Sequence, residues 1–236
     1  ASDGYMWIGG YSGIIRYDGN AAKRLDTSGG LTSGRCLYED DKGRIWVGTN
    51  DNGIVVVDGS KTSHITYDEG LPASSIRAFA EDWDNNMYAG TTSGACYIDT
   101  DLTLHEIDDE RLESKMIIRL SVDGGGNVYG LTGDGDVFSL DDGKVSAFYT
   151  HEDLGMENVT AILGDPAGSN KIYLGTEENL VYYGSFGDKA DVLNEISTDT
   201  IKNIHWIDYD CDRIWISSTT RSEEHTSELQ SLAYLV

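Results

Sequence analysis

Side chains able to bind or transfer something recur at one phase of this chain: Ser33 and Arg35, Ser75 and Arg77, Arg119, Asn158 and Thr160, and Asn203 and His205. Hydroxyls, amides, guanidinium forks and an imidazole are the donors and acceptors that suit sugar hydroxyls or a carboxylate. The competing reading is that these arginines neutralise neighbouring Asp residues, while the Ser and Asn side chains cap turns. A catalytic set is not apparent. His64, His105, His151 and His205 fall at different phases, neither G-x-S-x-G nor H-E-x-x-H occurs, and the glycine clusters sit in turns. Asp82-Trp83-Asp84-Asn85-Asn86 and Asp208-Tyr209-Asp210-Cys211-Asp212 offer oxygens at alternate positions, as calcium loops do. However, the first lacks the loop's glycine and the second ends on Thr219 where a calcium loop has Glu, so both read as hairpin turns. No metal, no cofactor and no enzyme activity are expected in this segment.

The elements that must position those side chains announce themselves by repetition. Trp46-Val47-Gly48-Thr49 returns as Trp7-Ile8-Gly9-Gly10, Tyr88-Ala89-Gly90-Thr91, Tyr129-Gly130-Leu131-Thr132, Tyr173-Leu174-Gly175-Thr176 and Trp215-Ile216-Ser217-Ser218, with the aromatics 39, 42, 41, 44 and 42 residues apart. An acid precedes the aromatic in the last five repeats, at Asp40, Asp82, Asp123, Asp165 and Asp210. Three residues before the acid stand Leu37, Phe79, Leu120, Ile162 and Ile207, and six before it Gly34, Ile76, Ile117, Val159 and Ile204. A period near forty residues marks stacked supersecondary units.

Turn chemistry sets the content of each unit. The second repeat reads as a strand near 35 to 40, the turn Asp41-Lys42-Gly43, the Trp46 strand, the turn Asn50-Asp51-Asn52-Gly53, a strand near 54 to 58, the turn Asp58-Gly59-Ser60-Lys61 and a fourth strand near 62 to 67. Asp84-Asn85-Asn86 with Thr92-Ser93-Gly94, and Gly124-Gly125-Gly126 with Gly133-Asp134-Gly135, repeat the plan. In the fifth unit Pro166-Ala167-Gly168-Ser169-Asn170 lengthens the first hairpin, and Glu177-Glu178-Asn179 replaces the Gly turn. Four antiparallel strands per unit predict an all-β fold, an incomplete β-propeller of about five blades belonging to a seven-bladed ring. The rings should fill the wedges between blades, with the nearby Gly permitting close approach. Blades are expected at about 1–30, 31–71, 72–112, 113–155, 156–200 and 201–220. Trp83 and Trp206 stand outside the aromatic column, and packing against an adjacent blade is expected for them. Open strands at either end predict easy self-association or unfolding.

Composition limits the partners. The 236 residues carry a formal charge of −24, which argues against a nucleic-acid backbone or an anionic membrane surface. Cys36, Cys96 and Cys211 occupy different columns and read as unpaired. No stretch of 18 apolar residues occurs, so contact with a membrane would come only through segments outside this chain. Residues 221–236 break the period; Arg221 to Ser231 resembles a translated sequencing adapter, so the propeller is expected to end near Thr220. Without that tail the charge is still −22.

With these columns in place, Gly30-Leu31, Leu37, Asp40, Gly43, Ile45-Trp46-Val47-Gly48-Thr49 and Gly53-Ile54 resemble the two-component regulator propeller repeat. Gly70-Leu71 through Thr91 and Gly94 follow with Tyr88 for Trp, and Asn158-Val159, Ile162, Asp165 and Gly175-Thr176 match in the fifth repeat. The sequence departs from the pattern at Tyr129-Gly130-Leu131, at Ser217-Ser218, and where Ser33, Ser75 and Met116 replace Asn. The resemblance implies an extracytoplasmic, ligand-sensing segment of a membrane-anchored bacterial receptor, with a histidine kinase or a GGDEF diguanylate cyclase as output. It implies an oligosaccharide or other small ligand, and a neighbouring propeller or dimer partner. In such propellers the face at which the innermost strand starts usually binds ligand, which selects Ser33, Arg35, Ser75, Arg77, Asn158, Thr160, Asn203 and His205, with Arg119 one step deeper. A propeller scaffold for protein–protein interaction, or a secreted propeller lyase or hydrolase, is the alternative.

Overall fold

The computed structural model describes residues 1–25, 31–156, 158–178, 180–187, 192–197, 203–210, 212–218 and 233–235. Two compact units, Ala1–Ile118 and Arg119–Val236, divide the chain. The architecture is all-β, an incomplete β-propeller, with six antiparallel sheets and one short 3₁₀ turn at Tyr67–Glu69 among the described residues.

In the first unit, β1 (Met6–Gly10), β2 (Gly13–Tyr17) and β3 (Ala22–Arg24) make a three-stranded sheet. The second sheet is β4 (Gly34–Glu39), β5 (Ile45–Thr49), β6 (Ile54–Asp58) and β7 (Lys61–Ile65). The third is β8 (Ile76–Glu81), β9 (Met87–Thr91), β10 (Ala95–Ile98) and β11 (Leu104–Glu106). Strand β12 (Ile117–Val122) opens at the end of this unit and continues from Arg119 in the second. It leads the sheet completed by β13 (Val128–Thr132), β14 (Val137–Asp141) and β15 (Lys144–Tyr149). The fifth sheet is β16 (Val159–Gly164), β17 (Lys171–Thr176), β18 (Leu180–Ser185) and β19 (Val192–Ser197). The sixth is β20 (Ile204–Asp210), β21 (Arg213–Ser218) and β22 (Ala233–Leu235). Residues 221–231, whose sequence resembles an adapter, lie outside the described residues, whereas Ala233–Leu235 pairs along β21 as a third strand that the sequence had not suggested.

Consecutive strands pair in order because the connecting turns supply the dihedral angles that tight hairpins need. Gly43 and Asn85 occupy the left-handed region at φ 74° and 63° in equivalent first hairpins. Asn179, expected to play that part in a later turn, lies outside the described residues.

The aromatic column does seal sheet to sheet where Trp46 sits. Its ring is fully buried among Ile54, Val56, Ile76, Phe79 and Met87, side chains from two successive sheets, and meets Phe79 edge-on at 6.2 Å. Gly48 lets the next sheet come close: a Cβ there would stand 2.8 Å from Ile76 Cγ2, and one on Gly90 2.8 Å from Ile117 Cγ2. In the second unit, a Cβ on Gly175 would likewise stand 2.5 Å from Ile204 Cγ2. The irregular Tyr129-Gly130-Leu131 has its own reason. A Cβ on Gly130 would collide with the Phe138 ring at 2.1 Å, so here the glycine makes room for a ring on its own sheet. Trp83 corrects the sequence reading. It is 68% exposed, because it sits at the tip of the hairpin turn between β8 and β9.

Candidate functional site

The acids Asp40, Asp82, Asp123 and Asp165 anchor the first hairpins of the second to fifth sheets through their carboxylates. Asp40, 4% exposed, accepts turn hydrogen bonds from Lys42 N at 3.1 Å and Arg44 N at 2.7 Å through Oδ1. Its Oδ2 accepts from Arg44 Nε at 2.5 Å and from the indole Nε1 of Trp46 at 2.7 Å. Burial pushes its pKa up, yet the bonds from Trp46 and Arg44 outweigh burial and hold the carboxyl below its ordinary value. Asp123 does the same through Gly125 N, Asn127 N and the Tyr129 hydroxyl, the last at 2.9 Å. Asp82 accepts Asp84 N, Asn86 N and Asn86 Nδ2, so its oxygens are committed to the turn. In the fifth sheet the longer hairpin sets Tyr173 eight residues from Asp165, and Tyr183 of the next strand donates to Asp165 instead, at 2.7 Å. Trp215 Nε1 donates to the backbone oxygen of Asp210. Ala1 stands six before Trp7, where a carboxylate would be needed, and Trp7 Nε1 is buried without a partner.

At the opposite end of the first strands lie the candidate ligand residues, and here the structure adds what periodicity did not show. Gly34 pairs with Thr49 and Cys36 with Gly48, which leaves Arg35 as an inserted residue opposite no partner. The same shift isolates Arg77 between Ile76 and Ala78, Thr160 between Val159 and Ala161, and His205 between Ile204 and Trp206. Each is a β-bulge, a device that redirects a side chain out of the strand's alternation.

In the first unit, β4 packs against β8, so the bulges bearing Arg35 and Arg77 lie on neighbouring strands. Arg35 is exposed and Arg77 half-buried, and the Arg77 atoms Nε and Nη1 are shielded from solvent without a hydrogen-bond partner. Burial first, and the Arg35 charge second, lower the pKa of Arg77. Ser33 has φ 54° immediately before its bulge, and Ser75 Oγ donates to Asn50 Oδ1 at 3.4 Å. Among the described residues neither Arg35 nor Arg77 forms an ion pair, while Arg44 and Arg111 pair with Asp40 and Asp109.

The second unit uses its equivalents differently. Thr160 Oγ1 donates to the Ile204 backbone oxygen of the next first strand, Asn158 Nδ2 donates to Glu177 Oε1 at 2.9 Å, and Asn203 N donates to Glu177 O at 2.9 Å. Arg119 stacks over Trp206 at 4.3 Å from the ring centre, and His205 is exposed. Trp206 is 46% exposed under that guanidinium. Thr160 and Asn158 thus spend these polar atoms on contacts within the protein.

Sequence reasoning passed over a second inter-sheet tie. Glu39 Oε1 and Oε2 accept Ser2 N at 2.7 and 2.8 Å, and one period later Glu81 Oε2 accepts Asp41 N at 2.9 Å. Two clefts open in this unit. One of about 520 Å³ is lined by Tyr5, Trp7, Tyr38 and Glu39, the other of about 340 Å³ by Pro72, Glu106, Asp109 and Glu113, and neither includes Arg35 or Arg77. Neither Cys36 nor Cys96 is in a disulfide among the described residues, and Cys211 lies outside them. Among the described residues no group of His, Cys, Asp and Glu is placed to hold a metal ion.

No curated protein matches the chain by sequence. Among solved structures, a streptogramin B lyase superposes with a TM-score of 0.70 at 14% identity, covering 98% of this chain and 81% of its own. The extracellular domain of the one component system BT4673 from B. thetaiotaomicron superposes with a TM-score of 0.69 at 19% identity, covering 92% of this chain and 30% of that one. YCF48 bound to D1 peptide gives 0.63 at 12% identity over 90% and 71%. These likenesses establish the propeller fold. Residues 32–51, which hold the Arg35 bulge, Asp40 and Trp46, match the model of the family described as two component regulator propeller.

Proposed function

We propose that this chain is the ligand-sensing propeller segment of an extracytoplasmic bacterial receptor, binding a small ligand, an oligosaccharide by preference, beside the first-strand bulges of Arg35 and Arg77. The single observation that carries the reading is the pair of arginines on neighbouring bulges, one of them with shielded and unused donors. A desolvated donor without an acceptor is costly, and such costs persist at sites that meet a ligand. The repeat at residues 32–51 and the fold shared with the extracellular domain of BT4673 support the sensor reading.

In this scheme the blades are a rigid platform and perform no chemistry. Ligand binding shifts the population of receptor arrangements, and a membrane helix passes the change to a dimeric histidine kinase or diguanylate cyclase carried by other segments. No helix among the described residues is long and apolar enough to cross a membrane.

The test is a thermal-shift and calorimetric screen of the full chain against neutral and acidic oligosaccharides. A true ligand at one hundred times its Kd adds about 2.7 kcal/mol of stability, and Arg35→Ala with Arg77→Ala should abolish the gain. Unchanged affinity in the double variant discards this site.

A further inference from the structure

The chemistry of the two bulges goes a step further than a generic sugar site. We infer that Arg77, with Arg35 beside it, is an oxyanion subsite that selects a carboxylate- or sulfate-bearing sugar; this rests on the sensor reading above.

Three observations lead there. First, the arginines are unpaired in a chain that offers 41 Asp and Glu against 17 Lys and Arg, so a shortage of carboxylates is not the reason. Arg44 and Arg111 of the same unit have found theirs. Second, both occupy the extra residue of a bulge at the same point of packed neighbouring strands, so two like charges are held together by the backbone rather than drifting apart into solvent. Third, Nε and Nη1 of Arg77 are shielded and lack an acceptor, which leaves donors on two sides of one guanidinium.

Electrostatics point the same way. Burial and the Arg35 charge both disfavour the Arg77 cation, and an oxyanion placed between the forks would reverse both effects. A neutral sugar would satisfy the donors but leave the mutual repulsion in place. The formal charge of −24 does not defeat this, because beyond about 8 Å it is screened at physiological salt while the two adjacent arginines are not. Ser75 Oγ and Asn50 Oδ1, already bonded to each other, supply a polar neighbour for sugar hydroxyls.

Calorimetry on the full chain with three matched probes tests the assignment: a hexose trisaccharide, its uronate counterpart and its 6-sulfated counterpart. The uronate or the sulfated sugar should bind at least tenfold more tightly than the neutral parent, and Arg77→Met should erase that preference. Arg77→Lys, which keeps the charge but not the fork, should restore part of it; circular dichroism confirms that both variants fold. The carboxylate and sulfate arms tell the two anions apart. Acidic probes that bind independently of Arg77, or a neutral probe that binds as well as they do, would overturn the oxyanion assignment and leave the sensor reading standing. An acidic peptide binding Arg77 in place of every sugar would overturn the choice of sugar. Failure of all probes to bind would overturn both readings.

Discussion

Replacing Asp40 by Ala isolates the interaction that holds sheet and hairpin together. The carboxylate is buried and serves Lys42 N, Arg44 N, Arg44 Nε and Trp46 Nε1. Its loss leaves Arg44, 9% exposed, without a counter-charge and the Trp46 indole without an acceptor. Breaking a buried ion pair by removing one member costs about 3–5 kcal/mol, and the bond to Trp46 overlaps with that figure, so about 4 kcal/mol is expected in all. For a chain of this size that is a fall in Tm of roughly 8–16 °C. Asp82→Ala is the control. Asp82 is half-buried and serves only Asp84 and Asn86 in a turn open to water, so its removal should cost about 1 kcal/mol. Far-UV circular dichroism melts, with exchange of the Trp46 indole proton by NMR, provide the readout. The pH dependence has a definite sign: the folded pKa of Asp40 is depressed, so its contribution is present above the unfolded value near 4 and lost as pH falls through the folded value. Equal shifts for the two variants, or an Asp40→Ala gap that persists in full at pH 2, would refute the reasoning.

Further outcomes follow from the packing. Gly48→Ala should destabilise by about 1–3 kcal/mol, since its methyl would stand 2.3 Å from Cys36 Sγ and 2.8 Å from Ile76 Cγ2; a urea melt matching the unsubstituted chain would contradict this. Burial holds the Glu81 pKa above its ordinary value, so ionisation there costs stability as pH rises through the folded value, and Glu81→Gln should raise Tm at pH 7 with a gain that fades below pH of about 4. Cys96 is fully buried and its thiol pKa is pushed up to about 12, so iodoacetamide at pH 8 should label half-buried Cys36 and spare Cys96 until the chain unfolds.

Much of the fold was legible because a propeller writes itself in short range. Turn residues, strand length and the aromatic column all lie within one repeat, and Trp46 against Phe79 is where the column placed it. The roles of the acid and of the bulge were harder to see. The fixed spacing of six from Asp40 to Trp46 and from Asp123 to Tyr129 was a signal, since those rings carry a polar tip that Phe would lack. The bulge, too, had left a trace: the apolar columns at Ile76 and Phe79 stand three residues apart, a spacing that strict alternation in a strand does not give. Whether a polar residue at that bulge faces a ligand or closes a turn depends on which backbone oxygen the next sheet presents. Thr160 meets Ile204 O and is consumed by it, whereas Arg77 meets no acceptor, and nothing local to either residue distinguishes the two cases.

The most direct measurement is the NMR spectrum of the arginine Nε–H groups of the full chain during titration with the uronate trisaccharide. The Arg77 signal should shift and its exchange with water should slow as the ligand binds, with Arg35 following and Arg44 unmoved. Saturable binding that leaves the Arg77 signal in place would contradict it.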